Sequence, residues 1–228
     1  DLGGSTSGGA AAITRITGES ANCIYGEPMV IEYGFTATDA SGDTVGDGTG
    51  TWYVGGVAVA TNQIVHQGNN SFDISSYLSA GLNNVRLEVK VDTGGETLMT
   101  AKKTWSVNAV NMYFTWTYND ARINTTAFDD RWTPYGDIAK TTHTMLDGVE
   151  LPTSTTVRSG VTQSMTIPMQ THGAHSIERW LTAEINGVEY PTPHQYHEAI
   201  FAVEGNTTPI VAISMKDTSV RQYEDRDR

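Results

Sequence analysis

The sequence predicts an all-β protein made of two consecutive β-sandwiches. Gly supplies 23 of the 228 residues and charged residues only 18%, a composition that favours strands and turns over helices. Short segments alternate apolar and polar residues with a period of two, as strands with one buried face do. Landmarks of the sequence recur at an offset of 92 residues, for example Gly81 and Gly173, so one module is repeated.

Strand candidates follow from the alternation. In residues 29–38, Ile31, Tyr33 and Phe35 alternate with more polar residues, and residues 85–91 show a cleaner pattern in which Val or Leu alternates with Arg, Glu or Lys. Gly, Pro, Asn or Asp bound each of the further candidates, as expected for strand ends. These candidates are residues 103–107, 112–118, 140–146, 177–185 and 198–203.

Four dipeptides predict tight hairpin turns, because Gly, Asn and Asp tolerate the positive φ angles that such turns need. They are Gly55-Gly56, Gly94-Gly95, Asp147-Gly148 and Asn186-Gly187. The 92-residue offset places the first on the third and the second on the fourth, and it also places Val85 on Ile177. Four landmarks at one offset are hard to obtain by chance.

A repeat of this length, with about seven short strands and turns about every 8–12 residues, has the size of an immunoglobulin-like β-sandwich. We therefore expect one sandwich over residues 13–108 and a second over residues 109–204, joined by a short, stiff junction. Residues 1–12 are rich in Gly, Ser and Ala and predict a flexible linker. Residues 205–228 predict either the start of a third module or a charged C-terminal extension. Because the chain begins at Asp1 rather than Met, we expect a processed chain or a segment of a longer protein.

Charge and hydropathy exclude several classes of protein. With 26 Asp and Glu against 14 scattered Lys and Arg, the net charge is −12, which argues against nucleic-acid binding. No apolar run approaches the length of about 18–20 residues that a membrane span needs, and no signal-peptide pattern is present. The single Cys23 cannot form an internal disulfide and is expected to be a small buried residue.

Three segments carry a resemblance to a known group of proteins. TPYGDIAKTTHTMLDGVEL (residues 133–151) and QTHGAHSI (residues 170–177) resemble immunoglobulin-like modules found in tandem in virion proteins of tailed bacteriophages, especially gut phages. Similar modules occur in bacterial surface proteins. NSFDISSYLSAGLNNVRLEV (residues 70–89) resembles an element shared by many immunoglobulin-like and carbohydrate-binding sandwiches. The resemblance implies a fold more firmly than a role.

Candidate metal ligands occur in two places. Asp39, Asp43 and Asp47 lie in a Gly-rich segment that could gather oxygen ligands for Ca²⁺, but the spacing is not that of an EF-hand, and a solvated hairpin loop is the favoured interpretation. His172 and His175, like His194 and His197, are three residues apart, so on a strand the two members point to opposite faces. We expect no metal or other cofactor at these positions.

Four aromatic residues are the candidates for contact with a glycan or a protein partner. Trp132 and Tyr135 lie in a predicted loop that contains Pro and Gly, and Tyr190 and Tyr196 flank Pro191 and Pro193. Exposed rings at the end of a sandwich can stack on sugars. The favoured interpretation is that these rings close the ends of the core or contact a neighbouring module.

The sequence contains neither a G-x-S-x-G nucleophile motif nor an activating environment for Cys23, so we expect no enzymatic activity. The resemblance implies a structural or adhesive component of a phage virion, in a tail, fibre or head decoration. Such a protein would act as a rigid spacer that binds other virion proteins, further copies of itself or a host surface glycan. The alternative is a glycan-binding or adhesion module of a secreted or cell-surface bacterial protein.

Overall fold

The computed structural model describes residues 9–92, 99–117, 121–122, 128–167, 170–202, 206 and 208. The chain divides into two compact units, Asp1–Asn111 (unit 1) and Met112–Arg228 (unit 2). Residues 1–8 of the expected linker and residues 209–228 of the expected third module or extension lie outside the described residues. In the described part of the chain, no helix is long and apolar enough to cross a membrane.

Unit 1 contains eight strands and a short 3₁₀ helix, Ser75–Tyr77, within its described residues. The three strands β1, β3 and β6 form one sheet, and the other sheet has the order β2-β8-β7-β4-β5. Neighbouring strands are antiparallel except β2 and β8, which are parallel. The strands are β1 (Ala10–Arg15), β2 (Ser20–Ile24), β3 (Val30–Thr38), β4 (Gly48–Val54), β5 (Val57–Val65), β6 (Gly68–Asp73), β7 (Gly81–Val91) and β8 (Met99–Val110).

Unit 2 repeats this strand order. One sheet has the order β15-β11-β9 and the other the order β10-β18-β16-β12-β13, with β14 also paired to β12 and β17 to β16. Strands β10 and β18 are parallel, as β2 and β8 are in unit 1. The strands are β9 (Tyr113–Thr117), β10 (Ala121–Arg122), β11 (Phe128–Tyr135), β12 (Lys140–Leu146), β13 (Val149–Glu150), β14 (Ser154–Thr156), β15 (Gln163–Ile167), β16 (Gly173–Ile185), β17 (Val188–Pro191) and β18 (Gln195–Phe201).

The strand order confirms the prediction of an all-β protein with two tandem immunoglobulin-like sandwiches. The offset of 92 residues relates β4 to β12 and the first residue of β7 to that of β16. Strand β1 begins at Ala10, inside the segment expected to be a linker, and β8 continues to Val110, beyond the expected boundary at residue 108. Ala-rich and mixed polar segments carry little local signal for where strand pairing starts or stops.

Three of the four predicted hairpin turns lie among the described residues. Asp147 and Gly148 have φ angles of 49° and 79°, and Asn186 and Gly187 have angles of 53° and 76°. Two consecutive positive values are the signature of a type I′ turn, which matches the twist of the flanking strands. Gly55-Gly56 has the same pattern, whereas Gly94-Gly95 lies outside the described residues.

The core of unit 1 is built around aromatic side chains. Trp52 on β4 is fully buried, its ring stacks on Phe72 with centroids 4.9 Å apart, and it lies 5.6 Å from both Tyr33 and Trp105. A buried Trp on this strand is a feature of immunoglobulin domains. Cys23 is also buried, and burial raises the pKa of its thiol.

The core of unit 2 holds a buried ion pair where unit 1 holds apolar side chains. Trp52 pairs with Leu87 across β4 and β7, and at the offset of 92 residues the corresponding pair is Thr144 and Arg179. The Arg179 guanidinium donates to Thr144 Oγ1 through Nε (3.0 Å) and Nη2 (2.9 Å). Its Nη2 lies 2.5 Å from Asp130 Oδ2, and both side chains have 0% exposure.

Two Trp side chains complete this buried site. Trp116 Nε1 donates to Asp130 Oδ1 over 2.5 Å. The guanidinium carbon of Arg179 lies 3.8 Å from the ring centroid of Trp132 and 4.7 Å from that of Trp116. Burial lowers the pKa of Arg179 and Asp130 opposes this change, so the carboxylate and the rings hold a charge that the interior would otherwise disfavour.

Candidate functional site

The outer face of the larger sheet in unit 2 carries stacked rings and hydrogen-bonded acidic side chains. Successive residues of a strand point to opposite faces, and the buried residues Ile177, Arg179 and Leu181 define the inner face of β16. The outer positions of the sheet, together with His194 directly before β18, form what we call the acidic aromatic face. Its defining residues are His143, Glu150, Glu178, Trp180, Glu184, Glu189, His194, Tyr196 and Glu198.

Three rings form a stack at the centre of this face. His143 and Trp180 are direct cross-strand neighbours on β12 and β16, and their ring centroids are 4.9 Å apart with planes inclined by 5°. His194 stacks on Trp180 at 4.3 Å and 8°. Each imidazole thus lies parallel to the indole, and the stack occupies the indole surface that a sugar ring would otherwise contact.

Carboxylates hold both imidazoles. His143 Nδ1 lies 2.7 Å from Glu150 Oε1, and its Nε2 lies 2.9 Å from Thr182 Oγ1. His194 Nδ1 contacts Glu178 Oε1. A hydrogen bond to Glu178 is the main reason why the pKa of Tyr196 is raised. These contacts order side chains that would be mobile on most sheet surfaces, and ordering before binding lowers the entropy cost of recognition.

The face carries negative charge. It presents Glu150, Glu178, Glu184, Glu189 and Glu198, whereas no Lys or Arg occupies the outer positions of β12, β16, β17 and β18, which are all described in full. The face therefore favours cationic partners and repels anionic ones.

Trp132, one of the four candidates for contact with a glycan or a partner, lies in the core of unit 2. It is 2% exposed, its Nε1 donates to Thr142 Oγ1 over 3.3 Å, and its ring covers Arg179. The sequence predicts a loop at Trp132 because Pro134 follows two residues later. In the structure Pro134 belongs to β11, and the alternation of that strand points Asp130, Trp132 and Pro134 inward.

The three predicted Tyr contacts are not brought together. Tyr135 on β11 is half-buried and stacks on Tyr113 of β9, with ring centroids 4.5 Å apart and planes inclined by 11°. Tyr190 is half-buried on β17 and pairs with Ala183. Tyr196 is 59% exposed on the acidic aromatic face. The Tyr113–Tyr135 pair lies on the smaller sheet, so it is a separate surface feature.

The three Asp candidates serve the local backbone and a neighbouring side chain. Asp39 Oδ1 accepts hydrogen bonds from the backbone N–H groups of Ser41 (2.9 Å) and Asp43 (3.0 Å). Asp47 instead contacts His66, with 2.7 Å between Asp47 Oδ2 and His66 Nδ1. Within the part of the chain that the structure describes, no group of three or more His, Cys, Asp or Glu side chains is arranged to hold a metal ion.

The two His pairs are separated as well. His175 lies between Asp147 Oδ2 (2.6 Å) and the carbonyl oxygen of Thr171 (2.9 Å), whereas His172 lies 2.7 Å from the carbonyl oxygen of Thr208. Partial burial raises the pKa of Asp147, but hydrogen bonds from His175 and Ser176 outweigh it and hold that pKa below its usual value. His194 belongs to the ring stack, and His197 contacts Trp116 edge-on at 5.8 Å.

Comparison with known proteins found similarity to solved structures. No family model and no curated protein matches the sequence. Among solved structures, three N-terminal domains of the highly immunogenic outer capsid protein of bacteriophage RB49 are similar, with 9% identity, a TM-score of 0.48 and coverage of 86% of this chain and 70% of that one. Immunoglobulin domains 1–4 of Sidekick-1 are similar with 13% identity and a TM-score of 0.43 over 89% of this chain, which spans only 51% of that protein chain.

A bacterial ice-binding adhesin is similar at 16% identity, with a TM-score of 0.33 and coverage of 85% of this chain and 65% of that one. Both units are immunoglobulin-like. This assignment rests on the strand order, because TM-scores below 0.5 do not support a shared function.

The ring stack is only partly predictable from the sequence. The alternation predicts that His143, Glu178 and Trp180 occupy the outward-facing positions of their strands. Their contact depends on the register between β12 and β16, and the turn Asp147-Gly148 alone does not determine which strand pairs with β12. His194 could not be placed because it lies outside any strand.

Proposed function

We propose that the protein is a non-enzymatic structural and adhesive component of a phage virion, located in a tail, a fibre or a head decoration. Two immunoglobulin-like units supply a spacer, and the acidic aromatic face of unit 2 supplies a contact surface for another protein. The observation that supports this role best is the ordered surface itself: stacked rings and His–Glu pairs on a sheet face. Large sheet faces suit protein partners better than small substrates, which bind in concave pockets.

The proposal is tested in particles of a phage that encodes the chain. Mass spectrometry of purified virions should detect the protein at a fixed ratio to the capsid or tail proteins. A photo-crosslinking residue placed at Tyr196 should then capture a virion protein, which includes a further copy of this chain. The same residue placed at Thr115, on the outer position of β9 in the other sheet, is the matched control and should capture much less. Absence of the protein from purified particles would refute the virion assignment.

A second candidate function is glycan binding by a bacterial surface or secreted protein. The stacked Tyr113–Tyr135 pair favours it, since Tyr113 is 45% exposed and aromatic rings on sheets bind sugar faces. If this function is correct, Tyr113→Ala should abolish binding on a glycan array, and Tyr196→Ala should leave that binding unchanged. Retained glycan binding in both variants, or none in the unsubstituted protein, would remove this alternative.

A further inference from the structure

The corresponding face of unit 1 has the opposite charge. Its larger sheet presents four charged side chains at outer positions, namely Arg86, Glu88 and Lys90 on β7 and Lys102 on β8. The other strands of this sheet, β2, β4 and β5, contain no Lys, Arg, Asp or Glu and are described in full. This surface, which we call the basic face, therefore carries three cations and one carboxylate.

The cations of the basic face are incompletely neutralised. Glu88 contacts both Arg86 (Nε, 3.2 Å) and Lys102 (Nζ, 3.3 Å), so one carboxylate serves two cations. No carboxylate within the described residues forms an ion pair with Lys90. Arg86 also lies over the ring of Tyr53, with 4.4 Å between the guanidinium carbon and the ring centroid.

The acidic aromatic face carries carboxylates without a cationic partner among the described residues. Glu150 and Glu178 contact imidazoles, but Glu184, Glu189 and Glu198 have no ion-pair partner among the described residues. The face also offers an exposed Tyr196, and a Tyr ring is a platform on which an Arg or Lys can lie, as Arg86 lies on Tyr53 within unit 1.

We propose that the basic face of unit 1 in one copy of the chain binds the acidic aromatic face of unit 2 in a second copy. The inference deepens the proposed function by naming a second copy as the partner of that face. The two surfaces differ, so the contact is heterologous, and each bound copy still offers one free face. Such contacts extend into open chains unless the rotation between copies closes a ring. Charge pairs at the rim accelerate association and weaken with salt.

The test measures the mass of the chain by sedimentation velocity as a function of concentration. At about 0.1 M salt the Debye length is about 10 Å, and the unsubstituted chain should form dimers and larger species. At about 1 M salt the Debye length is about 3 Å, and association should be lost.

Two charge-reversal variants make the test specific. One is Arg86→Glu with Lys102→Glu, and the other is Glu184→Lys with Glu189→Lys and Glu198→Lys. Each alone should lose self-association, because both of its faces then carry charge of the same sign. An equimolar mixture should associate again, since the reversed face of one variant complements the reversed face of the other. Matched controls are Glu32→Lys and Arg131→Glu, which change exposed charges on the smaller sheets and should associate like the unsubstituted chain.

A chain that remains monomeric at high concentration and low salt overturns the inference, as does a mixture that stays monomeric or a control variant that loses association. The proposed function fails separately. If the chain is monomeric yet the crosslinker at Tyr196 captures a different virion protein, only the self-association is refuted. If the chain associates as described but is absent from purified particles, only the virion role is refuted.

Discussion

Removing the Asp130 carboxylate should strongly destabilise unit 2 and leave the stability of unit 1 unchanged. The substitution Asp130→Ala leaves Arg179 buried with Thr144 as its remaining hydrogen-bond acceptor, and it leaves Trp116 Nε1 without its acceptor. Removing one partner of a buried ion pair costs about 3–5 kcal/mol. An unpaired buried donor costs about 1–3 kcal/mol, and because the two effects overlap we expect a total loss of about 4–6 kcal/mol. A domain is stable by only about 5–15 kcal/mol, so unit 2 would lose much of its stability.

The two units can be followed separately during urea unfolding. Cys23 is the single thiol of the chain and is buried in unit 1, so its reaction with a thiol reagent reports on unit 1 alone. Trp116 and Trp132 are in unit 2, and their fluorescence should change at a lower urea concentration in the variant, while the thiol stays protected. As a control, Leu87→Ala should destabilise unit 1 by about 2–5 kcal/mol and expose Cys23 first.

Replacing both charged residues by apolar ones distinguishes the effect of an unpaired buried charge from the effect of the packing around it. In the variant Asp130→Leu with Arg179→Leu, position 179 carries the Leu that unit 1 has at the corresponding position 87. Unit 2 of this variant should be within about 2 kcal/mol of the stability of the unsubstituted protein. Two losses oppose this gain: the guanidinium–Trp contacts, about 0.5–2 kcal/mol, and the acceptor of Trp116 Nε1, about 1–3 kcal/mol. A loss of less than about 1 kcal/mol for Asp130→Ala, the value for exposed pairs, would refute the reasoning.

Two further outcomes concern pH. Burial raises the pKa of Tyr33 to about 12. Its contribution to stability is therefore complete below the pKa of the unfolded chain, about 10, and is lost as the pH rises from about 10 towards 12. Tyr33→Phe should remove one ionisation at high pH from the titration of phenolate absorbance. The depressed pKa of Asp147 stabilises unit 2 above about pH 4, and this contribution is lost as the pH falls through the pKa of the folded state. In the Asp147→Asn variant, the urea concentration at the midpoint of unfolding of unit 2 should therefore fall less steeply as the pH is lowered.

The elements that sequence patterns predict well are those with local causes. Strand β12 has the predicted bounds, because its alternation is regular and the turn Asp147-Gly148 marks its end. The offset of 92 residues correctly relates the central strands of the two units. Strand β11 was missed because Pro134 and the charged residues before it obscure the alternation, although a Pro on a strand is tolerated where its missing N–H is not needed.

The sites were harder to predict than the strands because they depend on contacts between distant residues. The alternation around Ile177 and Leu181 places Arg179 on the buried face, and this is a signal that a charge lies in the core. Its partner Asp130 could not be identified, since the two residues belong to different sheets and no sequence periodicity relates them. The stacking of His194 on Trp180 could not be predicted either, because His194 lies outside any strand.

The different interiors of the two units have a consequence for how the chain reaches its native state. Neighbouring repeats with similar strands are prone to exchange segments during folding. If β16 entered the sheet of unit 1 in place of β7, Arg179 would lie beside Trp52 without a carboxylate, a mispairing that the interior penalises by several kcal/mol. If β7 entered unit 2, Leu87 would leave Asp130 buried without its cation. The ion pair thus disfavours the exchange of strands between the two units, because each exchange would bury a charge without its partner.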